Sequence, residues 1–343
     1  MRSPLQGGLP PTGAVSGAVV EIACDESGFS GTNLLRSATP VITHASVDLT
    51  AAEAAALIGE LRSGFRFSPH ELKSGQFLRS ARAGEALEWF LATLAGRAYV
   101  HLVDKEFFLA TRIVDLLLAE PSYAAGTRLA EQHRPAALAL YRARHVAGEE
   151  WDAFLGAFID LVRTKRPLPI RPGVDAFFRA GEALARAAAG TPAVAALDGL
   201  ARAQVEAVVA RVHADDRSIP PPLEPMLPAL AETVLTWSGG QRQVLVVHDE
   251  QSALTADRLT RLGGVLARGG PAGRSPLAGL VMVDSRDDHR VQVADLLAGV
   301  ARRSSGPPAG ALLAPLLTAT SLRDRDGLRG ADAGARPGSP RPR

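Results

Sequence analysis

Carboxylates stand at the ends of several apolar runs in this 343-residue chain. The run from Val19 to Cys24 ends at Asp25-Glu26-Ser27-Gly28, and that from Ala98 to Val103 ends at Asp104. The run from Val244 to Val247 leads through His248 to Asp249-Glu250, and Leu280 to Val283 leads to Asp284. A further source is helical: Asp288, Gln292, Asp295 and Gly299 recur at a spacing that puts them on one helix face. Carboxylates brought within a few ångströms repel and raise each other's pKa unless a cation neutralises them. An all-oxygen donor set suits magnesium or manganese, whereas zinc favours His or Cys. Divalent ions held this way activate water and stabilise the leaving oxygen in phosphodiester cleavage, and Lys73 would contact a phosphate or orient the attacking water. Taken alone, each strand-end aspartate is ordinarily a turn-former or helix cap, so the set rather than any member points to a site.

Positioning these acids needs strands with helical connections. Short apolar, β-branched runs bounded by turn residues read as buried strands, and residues past the carboxyl ends of parallel strands line a common crevice. The opening strand is followed by an extended segment over 40–47, expected to pair with it as a hairpin. Thr50 with Glu53 has capping-box spacing, and Leu57, Ile58 and Leu61 form the stripe of a helix ending near Gly64. Helices are expected from Gln76 to Gly96, from Glu106 to Glu120 and from Ser252 to Leu262. Over 121–239 the composition turns alanine-rich and β-branched runs vanish, which reads as an all-helical insertion. In the last helix Val293, Leu296, Leu297 and Val300 form an apolar stripe, leaving Asp295 on another face. Residues 1–17 read as a flexible arm and 306–343 as a largely disordered tail around an α/β core of 18–120 and 240–305.

The bulk numbers narrow the function classes. Six arginines and three aspartates between Arg323 and Arg343 account for a pI near 9.0, leaving 32 basic against 33 acidic residues elsewhere. Basicity is therefore weak support for nucleic-acid binding by the folded part. The single cysteine, Cys24, excludes an intramolecular disulfide and a cysteine-rich zinc site, and fits a reducing compartment. Neither a signal peptide nor a transmembrane run is evident, so a cytoplasmic protein without membrane contact is expected.

Several segments together resemble the domain of unknown function 3800 family, whose fold is ribonuclease H-like. These are the strand ending Asp25-Glu26-Ser27-Gly28, the Glu71-Leu72-Lys73 segment, and the strands ending Val103-Asp104-Lys105 and His248-Asp249-Glu250. The most specific is Val283-Asp284-Ser285 leading into Gln292-Val293-Ala294-Asp295-Leu296-Leu297-Ala298-Gly299, where Val293 departs from the family's leucine. The resemblance implies an α/β, ribonuclease H-like mixed sheet flanked by helices, with the opening hairpin beside the later strands. It places metal ligation on Asp25, Asp249 and Asp295, with Glu71 as a fourth acid and Asp104, Asp284, Glu26 and Gln292 as further candidates. Strand alternation separates Asp25 from Glu26, so Asp25 is expected in the site and Glu26 at the start of the turn. The function implied is a magnesium- or manganese-dependent nuclease acting on DNA or RNA. Its rivals are a non-catalytic module using the helical insertion for a partner and a hydrolase of small phosphate esters.

Overall fold

The computed structural model describes residues 7–11, 17–29, 31, 34–35, 39–66, 74–79, 83–165, 167–269, 273–303 and 309–324. Five strands form one mixed sheet: β1 (Val19–Ser27), β2 (Val41–Val47), β3 (Ala98–Asp104), β4 (Gln243–Asp249) and β5 (Leu277–Val283), in the order β3-β2-β1-β4-β5. Strand β2 runs antiparallel to both β1 and β3, while β1, β4 and β5 are parallel. The expected hairpin is present, and the parallel pairing of β1, β4 and β5 brings their carboxyl ends to one edge.

The first helices are α1 (Ala51–Ser63), α2 (Ser74–Phe77), α3 (Ala83–Thr93) and α4 (Lys105–Ile113). The insertion carries α5 (Arg134–Arg142), α6 (Arg144–Val162), α7 (Ile170–Ala187), α8 (Ala193–Asp198), α9 (Arg202–His213) and α10 (Met226–Ser238). Then come α11 (Ala256–Gly269), α12 (His289–Arg303) and α13 (Ala309–Leu313). Helix α1 starts on the expected capping box: Glu53 N–H donates to Thr50 Oγ1 at 3.2 Å, and Thr50 N–H donates to Glu53 Oε2 at 2.7 Å. Two helices, α2 and α3, occupy the segment where one was expected, and α4 passes into a π-helical turn over Val114–Leu118.

Alternation along the strands divides the core into two layers. Ala23, Ala45, Val47, Val100 and Val247 face α1, α3 and α12, whose Leu57, Ile58, Phe90, Leu296 and Val300 close that layer. Val20, Ile22, Cys24, Val244 and Val246 face the opposite way, onto α4 and the insertion helices, with Phe107, Phe154, Phe158 and Trp151 inside. The insertion is thus the second layer of the sheet and shares one core with it. Helix α10 lies across the sheet on this side: Thr233 bonds His44, and Trp237 Nε1 donates to Ser46 Oγ at 2.8 Å.

Two segments read from sequence as peripheral also join the sheet. Leu9 exchanges backbone hydrogen bonds of 2.8 Å with Leu280, extending the β5 edge. Beyond α13, Thr318 N–H donates to Val100 O and Leu322 N–H donates to Leu102 O, beside β3. Both supply backbone partners that an edge strand otherwise lacks, which composition does not reveal. Among the described residues no helix is long and apolar enough to cross a membrane.

Candidate acidic site at the sheet edge

The two-residue period of β1 decides which acids can meet. Asp25 follows Ala23 onto the α12 side, and Asp249 follows Val247 onto the same side at the end of β4. Helix α12 packs over β1 and β2, with Thr43 Oγ1 donating to Ala298 O at 2.7 Å. Its buried stripe is Val293, Leu296, Leu297 and Val300, as the spacing predicts, leaving Asp295 and Gln292 half-buried on another face. Asp25, only 6 % exposed, accepts from Glu26 N–H at 2.7 Å. Burial raises its pKa well above the ordinary aspartate value, and Glu26, Asp295 and Asp249 each raise it further. Asp249 is also pushed up by burial and by Asp284 and Glu250, while its Oδ1 accepts from Ser285 N–H at 3.0 Å. Acids from β1, β4 and α12 therefore share one repulsive field.

Two glycines permit this edge to close. Gly28 holds φ +92, and a Cβ there would stand 2.6 Å from Val41 O. Gly299 lets α2 cross α12, since a Cβ there would fall 2.0 Å from Ser74 Oγ. Beside these turns stand cations that sequence reading passed over. Arg302 Nε donates to Ser27 Oγ at 2.9 Å and Arg303 Nη1 to Ser74 Oγ at 2.8 Å. Lys105, next to Asp104 at the end of β3, is 2 % exposed, donates to Thr39 O at 2.8 Å, and has its pKa lowered by burial and by Arg302.

The remaining candidates separate. Asp104 caps α4, accepting from Phe107 N–H at 2.9 Å through Oδ1 and from Tyr141 O–H at 2.7 Å through Oδ2. Asp284 shapes the turn after β5 and pairs with Arg286 at 2.5 Å, although its charge still reaches Asp249. Asp288 stands just before α12 and holds Arg290, which also pairs with Glu21. Gln292 leaves Oε1 buried and without a hydrogen-bond partner. Glu71 and Lys73 lie outside the described residues.

Glu26 does not start the turn, because β1 continues through Ser27. It faces the insertion layer, where Gln251 Nε2 donates to Oε1 and Oε2 lies buried without a hydrogen-bond partner, 4.0 Å from His248 Nε2. Burial pushes its pKa up to about 7 against the Gln251 hydrogen bond, with Asp249 and Glu224 adding to the rise. His248 Nε2 is 3.1 Å from His44 Nε2, and His44 Nδ1 is 2.9 Å from Thr233 Oγ1. The Asp249 carbonyl, 2.8 Å from His248 Nδ1, can only accept, so His248 carries its proton on Nδ1 and presents Nε2 to His44 as an acceptor. Burial pushes His248 down to about 4 and His44 well below the ordinary value, so both rings are neutral. This pair was missed because the alignment of His44 with β4 depends on register, and the period-two pattern alone does not supply it.

The donor chemistry fits a hard divalent cation: carboxylates only, mutually repelling, with raised proton affinity. Among the described residues, however, no group of three or more His, Cys, Asp or Glu side chains is arranged to hold a metal ion. A scan against protein-family models and searches of curated proteins and of solved structures return no match to this chain.

Proposed function

We propose that this chain is a magnesium- or manganese-dependent phosphodiesterase acting on nucleic acid, with a ribonuclease H-like core. The observation that carries the reading is the convergence of Asp25, Asp249 and Asp295 from β1, β4 and α12 on one face of one sheet edge, where burial and mutual repulsion raise the pKa of Asp25. A strand order placing an antiparallel hairpin beside parallel β4 and β5 is the arrangement expected from the family resemblance. Asp25, Asp249 and Asp295 do not stand as a ready metal group among the described residues, so they would have to draw together to hold the ion, with Glu71 as a further acid and Lys73 toward a phosphate. When bound, the ion supplies water activation and stabilisation of the leaving oxygen. The chain itself keeps the carboxylates desolvated and holds their backbones with Gly28 and Gly299. Arg302 and Arg303, anchored on Ser27 and Ser74, offer guanidinium groups to phosphate oxygens at the same edge.

The test is manganese calorimetry together with cleavage across a panel of DNA and RNA substrates. The parent should bind manganese at millimolar concentration or tighter. Asp25→Asn and Asp295→Asn should each weaken binding at least about tenfold, ~1.4 kcal/mol, and slow cleavage. Variants that bind manganese and cleave as the parent does would overturn the assignment, and a parent with no manganese site would leave the non-catalytic module.

A further inference from the structure

On the insertion side of the same edge lies a cleft of ≈ 570 Å³, within the range of small-ligand sites. Val162, Val212, Ile219 and Leu223, all at most 5 % exposed, form its apolar floor, and Tyr123 stands in its wall. The wall also contains Thr255 and Arg258, from the segment that leaves β4 immediately after Asp249, and Gln251 of that segment holds Glu26. Glu224 lines the cleft from the insertion and repels Glu26 across the gap. The cleft and the acidic edge therefore share a boundary.

The charges at its rim are of two kinds. Asp216 is paired with Arg211 at 2.9 Å, Asp257 with Arg261 at 3.2 Å, Asp215 with Arg217 at 3.9 Å and Arg163 with Asp160 at 3.5 Å. Lys165 and Arg258 stand in no ion pair among the described residues, Arg258 Nη1 is anchored on Ala253 O at 2.9 Å, and the Arg258 charge is felt by Glu224 in the same wall. An apolar, aromatic-walled floor under two unpaired cations matches a flat base joined to an anion. A duplex buries its bases in the stack and presents phosphates and groove edges, leaving such a floor unmet, whereas a single strand can turn a base into it.

The geometry points to this cleft as the seat for one nucleotide of a single-stranded substrate, its base against Tyr123 and the apolar floor and a flanking phosphate at Lys165 and Arg258. This rests on the phosphodiesterase reading and names its substrate class. The test measures fluorescence anisotropy of a labelled oligothymidylate, free or paired with oligoadenylate, on the full chain in EDTA, where no ion is present and no bond is cut. The single strand should bind at least about tenfold tighter than the duplex. Lys165→Glu combined with Arg258→Gln should weaken single-strand binding at least about tenfold and lower its salt slope by about 0.7, the share of the one phosphate the two side chains hold. Arg186→Glu, an exposed reversal on α7 away from the cleft, should change affinity less than about twofold. Equal affinity for single strand and duplex, or equal losses in the cleft and control variants, would overturn the cleft assignment. Cleavage without single-strand preference removes the cleft alone, whereas single-strand binding without a manganese site removes the phosphodiesterase reading and leaves the cleft standing.

Discussion

Glu26→Gln gives the sharpest physical test of the acidic edge, because it removes a charge while keeping the shape. Burial pushes Glu26 from an ordinary value of 4.5 to about 7, against the hydrogen bond from Gln251, and Asp249 and Glu224 add to the rise. At ~1.4 kcal/mol per pH unit, carrying the carboxyl between those values corresponds to about 3 kcal/mol. Because the folded-state pKa is raised, the folded chain holds this proton more tightly than the unfolded chain. Stability is therefore greatest below 4.5, falls as pH rises from 4.5 to about 7, and stays lowered by the full amount above that. Glutamine keeps an oxygen for Gln251 and never ionises. Glu224, itself pushed up to about 7 by burial, ionises over the same range and takes part in the repulsion, so the gain should fall nearer about 2 kcal/mol. Urea denaturation in EDTA should show Glu26→Gln more stable than the parent by about 2–3 kcal/mol at pH 8, with the two alike within about 0.5 kcal/mol at pH 4.5. A gain independent of pH, or a variant less stable at pH 8, would refute the claim that an ionised, crowded carboxylate sits there.

Two further substitutions probe the frame around the site. Gly299→Ala places a methyl 2.0 Å from Ser74 Oγ and 2.4 Å from Ser74 Cβ, so it should cost about 1–3 kcal/mol in urea denaturation. Adding Ser74→Gly should recover most of that loss, whereas no recovery would mean that α2 does not cross α12 there. Asp104→Ala removes the α4 cap and the acceptor of Tyr141 O–H, and should lower stability by about 1–2 kcal/mol. Its manganese affinity should match the parent's, and a weakened manganese isotherm would return Asp104 to the site.

Much of the frame was legible because it rests on local rules. The Thr50–Glu53 box, the opening hairpin, the apolar stripe of α12 and the strands ending in Asp104 and Asp249 follow from spacing and side-chain type alone. What escaped depends on contacts distant in sequence. A lysine following a strand-end aspartate carries no local sign of burial, yet Lys105 in the first turn of α4 is buried and its ammonium reaches Thr39 O, just before β2. Leu9 and Leu322 sit in proline-, glycine- and arginine-rich stretches whose composition carries no sign of the edge strands they cover. Glu26 looked like a turn residue because Ser27-Gly28 follows it, but pairing of Glu26 with His44 and Ser27 with Thr43 carries the strand past it.

The partition of the two neighbouring acids has a consequence for how the edge can work. Asp25 and Asp249 project toward α12 and Asp295, while Glu26 projects toward His248, Gln251 and Glu224 under the insertion. A cation on the α12 side would relieve the repulsion that raises Asp25, and because Asp249 also raises Glu26, the relief would extend through Asp249 to the insertion side. Neutral His44 and His248 offer no positive charge there, since burial suppresses their protonation. Among the described residues, the groups in contact with Glu26 that can compensate its charge are thus hydrogen-bond donors such as Gln251, or its own proton. A ligand entering beside Glu224 and a cation arriving beside Asp295 would therefore act on the same coupled set of carboxylates, from opposite faces of one strand.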